Sequence, residues 1–219
     1  MGQHTLLSTP LQTATMLSAI ANGGHVLKPE LLKECTGANP NHEPFAECKI
    51  PELPALGLSF NLFTALSSPK SEQSQPLQPK IVRTLKFPGT SREQLLEGMR
   101  RVLWGAQGNS RPEIIRLLRS NPHLQAPFLA LRNQMIGKTG TAEVLFNASI
   151  NPSSAGQMIK HIWFGAISFE SETDRSHPEL VVIVYLRHGV SGREAAPLAA
   201  QIIDKWRELK KKNNRIKTM

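Results

Sequence analysis

Two apolar segments near the C-terminal end constrain this chain most. His161 to Phe169 and Leu180 to Arg187 are rich in β-branched and aromatic residues, and the polar stretch Glu170 to Pro178 separates them. Such a pattern predicts a β-hairpin. Val181-Val182-Ile183-Val184-Tyr185-Leu186 is apolar on both faces, which predicts a central strand covered on both sides. A sheet of this kind needs helices to cover it, and amphipathic candidates flank it. A 219-residue chain with 40% apolar content is long enough to supply them from one domain.

Residues 8 to 22 predict a helix. Ser8 or Thr9 can cap it, Pro10 suits a first turn that needs no N–H, and Asn22-Gly23-Gly24 ends it. Leu11, Ala14, Leu17 and Ala21 form its apolar face. From 35 to 90 proline recurs, and Ser67 to Gln78 is nearly all Ser, Pro, Gln, Glu and Lys, so this stretch predicts loop and short extended structure. Ser91-x-x-Gln94 predicts a capping box for a helix with Leu95, Leu96, Met99, Val102 and Leu103 on its apolar stripe. Ser110-x-x-Glu113 repeats the signal ahead of Ile114, Ile115, Leu117 and Leu118. A short strand is expected over Asn133 to Thr139, ending at Gly140. Glu194 to Leu209 predicts a last helix buried through Leu198, Ile202, Trp206 and Leu209.

The net charge is +9, and much of it lies in the tail Lys205, Arg207, Lys210, Lys211, Lys212, Arg215, Lys217. A solvated helix end that frays is the expectation there. No aromatic residues interleave these lysines in the manner of a nucleic-acid surface, so nucleic acid is not an expected partner. No run of about 18 apolar residues and no secretory signal occurs, so the sequence as written suggests a cytoplasmic chain. Cys35 and Cys48, with His42 between them, lack metal-ligand spacing, and free thiols are expected, with a disulfide across the intervening loop as the alternative in an oxidising compartment. No metal and no cofactor is implied.

Three motifs then fall in order. Gly2-Gln3 precedes Thr9-Pro10-Leu11-Gln12 and Ile20-Ala21-Asn22-Gly23-Gly24 with Pro29. Gly137-Lys138-Thr139-Gly140-Thr141-Ala142-Glu143 follows. Trp163-Phe164-Gly165 and Ala195-Ala196-Pro197 complete the series. Gly137-Lys138-Thr139 is not a phosphate-cradling loop, because Arg132 stands where that loop needs its first glycine. Together the motifs resemble the transpeptidase domain of class B, elongation-type penicillin-binding proteins, over nearly the whole chain. Ala166 stands where the family often has an aromatic residue.

The resemblance implies an α/β (α+β) fold of the penicillin-binding-protein and β-lactamase type, with the last three strands of an antiparallel sheet packed against helices. It implies serine acyl transfer on D-Ala-D-Ala stem peptides, for cell-wall cross-linking, and reaction with β-lactams. Lys138, Thr139 and Thr141 would bind the substrate carboxylate. Gly140 would let the substrate backbone lie against the strand, and the Thr141 N–H would form half of an oxyanion hole. Two further family motifs, Ser-x-x-Lys and Ser-x-Asn, are expected ahead of Gly2. Ser67-Ser68-Pro69-Lys70 and Ser59-Phe60-Asn61 fit them by letter only, in reversed order and in the wrong place. The chain is therefore expected to be a C-terminal portion spanning 1–219, inactive unless an N-terminal part of a transpeptidase completes it. Any membrane contact would come through an anchor in that part. A non-catalytic peptide- or protein-binding module is the alternative.

Overall fold

The computed structural model describes residues 7–30, 34–35, 75–76, 79–106, 108, 111–145 and 158–217. Contacts divide the chain into two compact units, residues 1–27 with 81–219, and residues 28–80. In the smaller unit, β2 (Glu34–Cys35) pairs antiparallel with β3 (Gln75–Pro76). The Lys28 N–H donates to the Lys80 carbonyl at 2.8 Å. Cys48 and both letter-only serine motifs lie outside the described residues.

The larger unit begins with α1 (Pro10–Ala21), capped by Thr9. Thr9 Oγ1 accepts from the Gln12 N–H at 3.2 Å, and Gln12 Oε1 accepts from the Thr9 N–H at 2.9 Å. This closes a reciprocal capping box. At the other end Arg92 donates to the Ile20 and Ala21 carbonyls, which satisfies acceptors the helix leaves open. Leu17, Ala19 and Ala21 are buried, but Leu11 is exposed, so the expected apolar face is turned toward its C-terminal half. β1 (His25–Leu27) pairs with β4 (Ile81–Thr84).

Then come α2 (Ser91–Trp104), α3 (Arg111–Ser120) and α4 (Gln125–Ala130), the last entered through a 3-10 turn at Pro122–Leu124. The capping box expected at Ser91 does not form. Thr90 is the N-cap residue, and Ser91 Oγ turns back to the Pro88 carbonyl. Ser110 lies outside the described residues. The sequence offered no sign of α4, which is six residues long and contains Pro127.

β5 (Met135–Leu145), β6 (Met158–Phe169) and β7 (Pro178–Leu186) form one antiparallel sheet in the order β5-β6-β7. The hairpin expectation holds for β6 and β7. β5 runs past its expected end, so the Lys-Thr-Gly residues lie inside the strand. β7 is covered on both faces as expected, but among the described residues it stands at the sheet's edge and not at its centre. One face of the sheet packs Phe164, Ala166, Val182 and Val184 against α3, α4 and α5 (Ala195–Lys217). The other packs Ile136, Ile167 and Phe169 against Leu17, Leu96 and Met99 of α1 and α2. Two separate apolar layers thus clamp the sheet.

The last helix corrects two expectations. Leu198 packs against the core as expected, but the fully buried face is Ala195, Ala196, Ala199, Ala200 and Ile203, and Ile202 and Leu209 are about half exposed. Small residues win because they let the helix backbone lie close on the sheet. The basic end does not fray either, since the helix runs to Lys217. Arg207 turns inward, donating to Glu179 Oε2 at 2.9 Å, Gln134 Oε1 at 2.6 Å and the Phe169 carbonyl at 2.8 Å. Lys205 pairs with Glu208, and Lys210 with Glu170.

Candidate active site

β5 carries the candidate residues and occupies an edge of the sheet. The register opposes Lys138 to Gly165, Gly140 to Trp163 and Ala142 to His161. Across β6, Gly165 opposes Ile183, and Trp163 opposes Tyr185. Because side chains alternate along a strand, Lys138, Gly140, Ala142, Gly165, Trp163, His161, Ile183 and Tyr185 share one face. This is the face that α1 and α2 cover at its other end. Thr139 and Thr141 belong to the opposite face, with Phe164 and Ile162 as register partners. The strand therefore brings all four candidates together in sequence but divides their side chains between its two faces. An edge strand is the one position from which both faces can reach a ligand lying alongside.

Lys138 is exposed, and its Nζ donates to the Thr139 carbonyl at 2.8 Å. Thr139 and Gly140 are half-buried, and Thr141 is exposed. The two glycines of the motif have different jobs. A methyl on Gly137 would run into the Phe164 ring and lie 2.9 Å from the Gly165 carbonyl oxygen. Among the described residues, a methyl on Gly140 would meet only Trp163 Cβ, at 3.4 Å. Packing requires the first glycine. The second leaves open space beside the strand, where another chain's backbone can approach.

The rest of the Lys138 face is aromatic. Trp163 and Tyr185 have ring centroids 4.5 Å apart, and His161 lies 5.8 Å from both Tyr185 and His188. His161 Nδ1 is buried without a hydrogen-bond partner among the described residues. Leu17 of α1 sits over Gly165, the residue opposite Lys138: a methyl there would lie 3.0 Å from Leu17 Cδ2. The Thr-Pro-Leu-Gln helix thus packs on β6 at the residue that opposes Lys138.

Sequence reasoning missed the turn after β7. Residues Gly192–Glu194 form a 3-10 turn with Ser191 as its N-cap, and Gly192 is buried against the backbone of Gly140 and Trp163. Its only sequence signal is Ser-Gly ahead of the last helix, a common loop dipeptide.

Charge near the sheet is organised away from Lys138. Glu97 of α2 takes a bidentate contact from Arg100, 2.8 Å to each oxygen, with Arg101 at 2.9 Å and Arg175 at 3.4 Å. These guanidinium hydrogen bonds, Arg100 first, hold its carboxyl down to about 2. Among the described residues no group of three or more His, Cys, Asp or Glu side chains could hold a metal ion. Nor is any described helix long and apolar enough to cross a membrane.

No curated protein and no solved structure matches this chain. The family model described as the penicillin binding protein transpeptidase domain matches residues 1–204, which takes in α1, the Lys-Thr-Gly strand, the hairpin and the first part of α5. The chain therefore belongs to the penicillin-binding protein transpeptidase domain family.

Proposed function

We propose that this chain supplies the Lys-Thr-Gly wall of a class B, elongation-type peptidoglycan D,D-transpeptidase site. In this reading Lys138 provides positive charge for the C-terminal carboxylate of a D-Ala-D-Ala stem peptide, or for the equivalent carboxylate of a β-lactam. Thr139 and Thr141 add hydroxyl hydrogen bonds from the other side of the strand. The Thr141 N–H serves as one oxyanion donor as the carbonyl is attacked. The observation that carries the reading is the position of Gly140. It lies in an edge strand, between Lys138 and Thr141, with no side chain and room for a methyl beside it. An extended peptide can add to such an edge through main-chain hydrogen bonds.

The nucleophile, in the same proposal, comes from a Ser-x-x-Lys segment outside this sequence, with a Ser-x-Asn segment beside it. The chain alone then has no acylation chemistry, and an N-terminal part of a transpeptidase is its expected partner. Membrane attachment would come through that partner. An extracytoplasmic place of action goes with membership of this family, and it replaces the cytoplasmic one suggested by the sequence as written.

Fluorescent penicillin with intact-mass detection tests the proposal. The 219-residue chain by itself should give no adduct. After addition of the Ser-x-x-Lys part of a related transpeptidase, one acyl adduct should appear, on the serine of the added part. An adduct on a serine of this chain would overturn the divided site.

A further inference from the structure

The turn between β7 and α5 makes a tight backbone contact with the candidate strand. A methyl on Gly192 would lie 2.6 Å from the Gly140 carbonyl oxygen, 3.0 Å from the Gly140 nitrogen and 2.8 Å from the Trp163 carbonyl oxygen. The Gly192 backbone therefore lies flat on the peptide that leads into Thr141. The turn's two ends are held: the Gly189 N–H donates to the Lys160 carbonyl at 2.9 Å, Gly189 packs against Ile162, and Ala195 and Ala196 are buried in the core. Val190 is 75% exposed, and 189 and 192 are both glycines. Ser191 Oγ accepts from the Arg193 N–H at 3.4 Å, which shapes the turn without tying it to anything else.

Between these ends, a charge contact ties the turn to α3. Arg193 Nη1 closes on Glu113 Oε2 of α3, with the side chains 31% and 40% exposed. α3 is seated in the main core by Ile114 and Leu118. A continuous path thus runs from the core through Glu113, Arg193 and Gly192 to Gly140. Beside the pair lies a cleft of about 430 Å³ between α3 and the turn, bordered also by Arg116 and Leu117.

We propose that Glu113 and Arg193 are positioning residues, whose ion pair presses the Ser191–Gly192 turn onto Gly140 and so fixes the backbone of Gly140 and Thr141. An exposed pair of this kind adds little to global stability. Its effect is local, because it acts one residue from the contact. The mechanical statement stands on the geometry alone. Its catalytic consequence, a correctly placed Thr141 N–H, rests on the transpeptidase reading.

Amide hydrogen exchange on the 219-residue chain separates the two. Glu113→Gln and Arg193→Gln should each speed exchange in peptides covering 137–145 and 188–194 by about threefold, the factor expected for an exposed ion pair. The charge-swapped double variant Glu113→Arg/Arg193→Glu should restore protection. Unchanged exchange over 137–145 in either single variant, or a swap that restores nothing, overturns the positioning role. The same variants, completed with a Ser-x-x-Lys segment, should be acylated by penicillin about threefold more slowly, with the affinity of the non-covalent complex unchanged. Wild-type acylation rates in variants whose exchange has risen would overturn the catalytic consequence. If the completed wild-type protein is never acylated while exchange responds as expected, the transpeptidase reading fails and the mechanical role stands.

Discussion

Alanine at the three glycines around the candidate strand should sort them by role. None of Gly137, Gly140 or Gly192 has positive φ, so alanine meets no backbone barrier at any of them. At Gly137 the new methyl collides with the Phe164 ring and the Gly165 carbonyl, both inside the packed sheet. Overpacking of this sort costs about 2 kcal/mol. At Gly192 all three neighbours are backbone atoms, which cannot rotate aside. The cost should reach about 3 kcal/mol, the upper part of the overpacking range. At Gly140 the nearest atom is at ordinary van der Waals distance. The reduced freedom of the unfolded chain then leaves the variant level with wild type, or about 0.5 kcal/mol more stable. In a protein of this size about 1 kcal/mol shifts the melting temperature by ~2–4 °C, so thermal scans backed by urea midpoints resolve the three cases. Gly140→Ala should still lower penicillin acylation of the completed site by about tenfold or more, a barrier increase of ~1.4 kcal/mol. If Gly140→Ala loses as much stability as Gly137→Ala, the space beside Gly140 is not free, and the argument for substrate approach at this residue fails.

Other perturbations have expected outcomes. Glu97 has a folded pKa lowered to about 2 from 4.5, so its contribution is complete above pH 4.5 and is lost as the pH falls toward 2. Its carboxylate is one-third exposed, and after discounting for solvent screening the loss is about 1 kcal/mol. Urea midpoints should fall faster between pH 5 and 2 in wild type than in Glu97→Gln, and equal slopes would refute the assignment. Arg207→Ala strands the buried Glu179 carboxylate and should cost about 3 kcal/mol by urea unfolding, with Arg207→Lys recovering only part. Ile203→Ala should cost ~2–4 kcal/mol, while Leu209→Ala, a half-exposed neighbour, should cost under about 0.5 kcal/mol. Equal effects at the two positions would mean that the buried face of α5 has been assigned to the wrong residues.

The sequence revealed the parts of the fold whose signal is local. Thr9, Pro10 and Gln12 announce the start of α1 because capping is settled within four residues. The hairpin is legible because β6 and β7 are long, apolar and adjacent. Local signal failed where tertiary contact decides. The stripe Leu198, Ile202, Trp206, Leu209 has the right period to be a core face, yet the sheet selects the alanine-rich face beside it. There a close approach buries more contact than large side chains could at greater distance. Arg207 looked like part of a solvated tail, and only the buried Glu179, which arrives from the start of β7, turns it inward. The candidate site shows the same division. Lys138 to Thr141 are readable as a motif, but the split of their side chains between two faces depends on β5 running on to Leu145. Composition hides that extension, because Gly137, Gly140 and the threonines lower the apolar signal of a strand. The contact of Gly192 with Gly140 is beyond any pattern reading, since it joins two residues without side chains. What distinguishes both positions is a space that a methyl group would fill. At Gly192 the fold's own backbone already occupies that space, whereas at Gly140 it is left open among the described residues, and this difference is the reason the proposed ligand approach is placed at Gly140 and its proposed support at Gly192.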